Sequence, residues 1–102
     1  MSTIDDAFLE AERLLRKYGF GTQADEVRKG LAAVQAQGTD GYRQLATLEW
    51  WGTSDSIADT YLYQEGESLT MKQELDNRAL RAALTTISDA MKAAGIPPPE
   101  VK

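Results

Sequence analysis

The sequence predicts an all-α fold, a single compact bundle of about five helices, mostly antiparallel. Three observations carry this. Apolar residues recur at 4-3-4-3 spacing over long stretches, no run alternates apolar and polar residues as a half-buried strand would, and the stretches are separated by short turn-forming connections. Short connections favour antiparallel neighbours. With 102 residues and 42% hydrophobic content the chain can bury one core without disulfides or metal.

The first helix is expected over 4–18. Thr3 and Asp6 have the spacing of a capping box, and Ile4, Phe8, Ala11, Leu15 and Tyr18 form the buried stripe, widened by Ala7 and Leu14. Gly19 suits the left-handed position after the helix, with Phe20 folding back as the apolar residue beyond it. The second helix, 22–37, is expected to start at Thr22 with Asp25 in support, to bury Ala24, Val27, Leu31 and Val34, and to stop at Gly38. Gly30 inside it predicts the close approach of a neighbouring helix backbone. A third, 41–50, would be capped by Thr39 or Asp40 and bury Tyr42, Leu45 and Leu48. A short fourth, 57–64, would be capped by Ser56, with Ile57 and Tyr61 one turn apart facing the core and Ala58 and Leu62 widening that face.

The fifth helix, 70–94, has Thr70 and Gln73 as a capping pair and Leu80, Leu84, Ile87, Met91 and Ala94 as its seam. Gly95 and Ile96 provide the ending, and three prolines forbid continuation. Polar residues Lys72, Gln73 and Asp76 open this helix, so its first turns either project past the bundle or bend away near Asp76-Asn77. Residues 1–96 are expected to be one helical domain and 97–102 a Pro-rich flexible tail.

Composition narrows the chemistry. The chain has no cysteine and no histidine, which removes thiol nucleophiles, Cys-type zinc sites and the commonest general base and metal ligand. No serine has the glycine elbow or the Ser-x-x-Lys spacing of a nucleophile, and no glycine loop suits a phosphate. No catalytic residue, cofactor or metal is therefore expected. Basic residues are scattered among acids rather than clustered, against a nucleic-acid partner, and no amphipathic helix has the basic face of a membrane binder. The acidic start lacks the pattern of a secretory signal, so a cytoplasmic protein of bacterial type is expected.

Net charge is −5, and residues 52–67 hold four carboxylates with no basic side chain, next to both tryptophans and two of the four tyrosines. Trp50, Trp51, Asp55, Asp59, Tyr61, Tyr63 and Glu65 are the candidate partner-binding residues. Aromatic groups supply apolar area with a polar tip, and carboxylates steer a basic partner. Adjacent positions cannot easily face one way, so one tryptophan is expected to be buried and the other exposed.

The run from Leu14-Leu15-Arg16-Lys17-Tyr18-Gly19 to Trp51-Gly52-x-x-x-Ser56-Ile57-Ala58-Asp59 resembles a family of small bacterial all-helical proteins of unknown function. Its members have an aromatic residue, a glycine-rich turn and then Ser-Ile-x-Asp; here the turn, Gly52-Thr53-Ser54-Asp55, has fewer glycines. In size, charge and the display of Asp59, Tyr61 and Tyr63 the chain is also similar to acidic helical immunity proteins, which neutralise bacterial toxins. The first expectation is thus a non-enzymatic interaction module binding a basic protein surface through 50–67. The alternative is a homodimeric scaffold associating through the long C-terminal helix.

Overall fold

The computed structural model describes residues 4–52, 56–58, 60–62 and 71–99. Helix α1 spans Ile4–Lys17, α2 spans Gly21–Gln37, a 3-10 segment spans Gly38–Leu45, α3 is the single turn Leu48–Trp51, and α4 spans Met71–Ala93. No strand occurs among the described residues. Among the described residues, three long helices, a 3-10 segment and one helical turn thus stand where about five helices were expected. The radius of gyration, 13.3 Å, is that of a compact chain of about 100 residues.

The central element is α1, which packs on α2 along one side and on α4 along another. Its stripe of Phe8, Ala11, Leu14 and Leu15 is completely buried and meets Val27 and Leu31 of α2 and Leu80, Leu84, Ile87 and Met91 of α4 in one hydrophobic cluster. The turn after α1 forms as expected. Gly19 has φ +85°, the Phe20 N–H donates to the Leu15 carbonyl at 2.8 Å, and the Gly19 N–H donates to that of Arg16 at 3.1 Å. At the end of α4, Gly95 has φ +80° and the Ile96 N–H donates to the Met91 carbonyl at 2.9 Å.

The cap expected at Thr22 is not used. α2 already begins at Gly21, and the residue before it, Phe20, serves as N-cap without any side-chain bond. Phe20 both closes the α1 turn and opens α2, which leaves no non-helical position for Thr22 to cap from. Thr39 and Asp40 likewise lie inside the 3-10 segment, which follows α2 directly, and Asp40 pairs with Arg43 at 3.5 Å on the surface. Thr3 and Thr70 lie outside the described residues.

The backbone approach expected at Gly30 occurs instead at Gly41. A Cβ on Gly41 would stand 2.5 Å from the Ala33 carbonyl oxygen and 2.6 Å from the Val34 Cα, so the 3-10 segment rests on the α2 backbone. At Gly30 the neighbours are side chains, Trp50 Cζ2 at 2.8 Å and Leu45 Cδ1 at 3.2 Å from a Cβ position.

α4 is unbroken from Met71 to Ala93, so the helix continues through Asp76-Asn77. The polar start of this helix is accommodated by bonds. Asp76 accepts from the Tyr18 hydroxyl at 2.7 Å and from Lys17 Nζ at 2.9 Å, while Gln73 and Asn77 are buried. Hydrogen bonds from Lys17 and then Tyr18 hold the Asp76 carboxyl below its ordinary range, against the opposing effect of burial. A second ionic network joins α1 to α2: Glu12 accepts from Arg16 at 2.9 Å and Arg28 at 3.3 Å, and Arg16 also reaches Asp25 at 2.9 Å. Among the described residues no helix is long and apolar enough to cross a membrane.

Candidate functional site

The two tryptophans occupy different depths. Trp50 is 3% exposed and belongs to the core, with its ring edge-on to Phe8 at 6.2 Å between centroids and its six-membered edge over Gly30. A glycine at position 30 leaves the space this indole fills. Trp51 is half-buried, 5.9 Å from Trp50 between ring centroids, and its Nε1 donates to the Leu45 carbonyl at 2.8 Å. Trp50 is therefore a core residue, and Trp51 is the tryptophan with accessible surface.

The helix expected over 57–64 is not present in its described part: residues 56–58 and 60–62 form turns and irregular backbone. Ile57, Thr60 and Tyr61 are weak helix formers, and eight residues are too few to sustain a helix without tertiary support. Ile57 and Leu62 are buried as expected, but Tyr61 is not. Ser56 is buried, and rather than starting a helix it accepts the Thr60 hydroxyl on its carbonyl oxygen at 3.0 Å.

Two side chains of α4 hold this segment by its main chain. Asn77 Oδ1 accepts from the Leu62 N–H at 2.7 Å, and Asn77 Nδ2 donates to the Leu62 carbonyl at 3.0 Å and to that of Gln73 at 3.0 Å. The carboxamide thereby pairs with Leu62 as the peptide group of an adjacent strand would. One turn further on, the Arg81 guanidinium donates to the carbonyls of Ala58 and Thr60. Buried main-chain groups outside helices need such partners.

Between these anchored neighbours Tyr61 is 53% exposed. Trp51, Ala58 and Arg81, with Leu84, Ser88 and Lys92 of α4, line a cleft of about 280 Å³ beside the segment. Trp51 and Tyr61 are thus the described aromatic groups of the candidate surface. Asp55, Asp59, Tyr63 and Glu65 lie outside the described residues. Among the described residues no three carboxylates gather where a metal ion could be held.

Sequence reasoning overlooked Asn77 and Arg81. The signal was present: Gln73 and Asn77 continue the seam of Leu80, Leu84, Ile87 and Met91 at the same 4-3 spacing, so two carboxamides occupy core positions. A buried carboxamide implies polar partners.

No protein-family model matches the chain. Comparison with curated proteins and with solved structures likewise finds no significant match.

Proposed function

We propose that the protein is a non-enzymatic protein–protein interaction module of inhibitory or immunity type, binding a basic partner surface through the aromatic and acidic segment 50–67. The observation that supports this reading is Tyr61, an aromatic residue left 53% exposed between buried neighbours Thr60 and Leu62. An exposed tyrosine on an anchored backbone supplies contact area at low entropic cost. The four carboxylates and absent basic residues of 52–67 favour a cationic partner, not nucleic acid or an anionic membrane. The protein acts in the cytoplasm, and its activity is binding alone.

Affinity capture from the source cell lysate at low and high salt tests this, with wild type beside Tyr61→Ala and the double variant Asp55→Lys/Glu65→Lys. The expected result is a partner retained by wild type, released by salt and missed by both variants. Equal capture by all three folded baits would overturn the reading.

A second reading is a homodimer formed through α4. Met71 and Leu75, 78% and 56% exposed on successive turns of that helix, favour it. It requires a dimer that persists in salt, depends on concentration in sedimentation, and is lost in Met71→Lys/Leu75→Lys.

A further inference from the structure

We infer that Asn77 and Arg81, one turn apart on α4, form a clamp that holds the Tyr61 segment in one pose, making them positioning residues for partner binding. The inference rests on the reading of Tyr61 as a contact residue and adds what presents it.

The described bonds of the clamp reach the main chain of the segment. Asn77 and Arg81 together engage the carbonyls of Ala58, Thr60 and Leu62 and the Leu62 N–H. The third bond of Asn77, to the Gln73 carbonyl of its own helix, fixes the rotamer that reaches Leu62. Among the described residues the segment's own bonds include Ala58 N–H to the Trp50 carbonyl at 2.7 Å, Thr60 N–H to that of Ile57 at 3.2 Å, and the Thr60 hydroxyl to the Ser56 carbonyl at 3.0 Å. Two α4 side chains thus restrain a stretch whose described residues form no helix.

The polar links of the framework lie outside the segment, although Ile57 and Leu62 pack in the same hydrophobic cluster as the helices. Those links, Glu12 with Arg28, Arg16 with Asp25 and Asp76 with Lys17 and Tyr18, involve no residue of 56–62. The main-chain bonds of the segment can therefore open without breaking an inter-helix ion pair. A loop already held in its bound pose avoids the ordering cost of association, so loosening the clamp weakens binding even though the contacting side chain is unchanged.

The test is amide hydrogen exchange followed by NMR on wild type, Asn77→Ala, Arg81→Ala and Arg81→Lys, with the same proteins and Tyr61→Ala used as capture baits. Loss of either clamp residue should speed exchange at Ala58, Thr60 and Leu62 by about 10- to 100-fold. The amides of Leu14, Leu15 and Leu31 should change by less than about threefold. Arg81→Lys keeps a cationic donor and should recover part of the protection, and capture should fall in the order of the exchange rates.

Arg81 is on the surface, so its two variants carry the test even if Asn77→Ala does not fold. Uniform acceleration in all helices would overturn the clamp. So would local acceleration with capture at the wild-type level while Tyr61→Ala loses it. A Tyr61→Ala bait that captures as wild type does would remove the docking reading, and the positioning role with it, while leaving its exchange pattern at wild-type rates.

Discussion

The helical framework and the 38–62 region share one hydrophobic core but differ in their polar bonds. Around α1, apolar stripes interlock and charged side chains close the edges, as in Glu12 with Arg28 and Asp76 with Lys17. In the 38–62 region Tyr42, Leu45, Trp50, Ile57 and Leu62 join the same core, and the backbone is gripped as well. Gly41 lies against the α2 main chain, Trp51 donates to the Leu45 carbonyl, and Asn77 and Arg81 bond to carbonyls 58, 60 and 62. A side-chain contact tolerates repacking, whereas a gripped backbone fails when one atom is added or one donor removed. The 38–62 region should therefore be the more brittle of the two.

Gly41→Ala should break it most severely. The new Cβ would meet backbone atoms that cannot rotate away, and a loss of about 3 kcal/mol in denaturant-induced unfolding is expected. Gly30→Ala sharpens the contrast, because its obstacles are the Trp50 and Leu45 side chains and alanine gains roughly 1 kcal/mol of helix propensity. Its net loss should be about 1 kcal/mol by the same measurement. Near parity between the two substitutions would erase the distinction.

Asn77→Ala should cost about 2 kcal/mol, since it orphans both main-chain groups of buried Leu62. Asp76→Asn probes the framework instead and should cost about 1 kcal/mol at neutral pH. The folded-state pKa of Asp76 is depressed, so its contribution is fully present above the unfolded value of about 3.9. As pH falls from there through the depressed folded value, the gap between wild type and Asp76→Asn should close. A gap that widened on acidification would contradict the assigned bonds. Tyr61→Ala should have the smallest effect, within about 0.5 kcal/mol in thermal unfolding, because the side chain is largely in solvent.

The framework was legible in the sequence because its helices are amphipathic over many turns and end in glycines with distinct dihedral demands. α1, its Gly19-Phe20 turn and the Gly95-Ile96 ending follow from those residues alone. The caps were less legible. Thr22 has the right chemistry, but whether a cap is needed depends on how the preceding turn delivers the chain, and Phe20 is already in place. The segment after Trp51 was misread because Ser56-Ile57-Ala58-Asp59 satisfies a local helix-start rule. Its actual conformation depends on Asn77 and Arg81, more than 14 positions further along the chain. Of the candidate site, the sequence located the neighbourhood and its aromatic character, but not which tryptophan reaches the surface. That follows from the cavity that Gly30 leaves for Trp50.

The shared role of Phe20 also bears on how the chain assembles. With no spacer between the α1 turn and α2, α1 meets α2 through pairs only 9 and 16 residues apart, Arg16 with Asp25 and Glu12 with Arg28. It meets α4 through pairs 58 and 59 residues apart. Closing the longer loop costs about 1 kcal/mol more in chain entropy. Loop closure therefore predicts that the α1–α2 hairpin forms first, that α4 docks on it later, and that the segment α4 grips takes its shape last, an order that φ-values in the three regions would check.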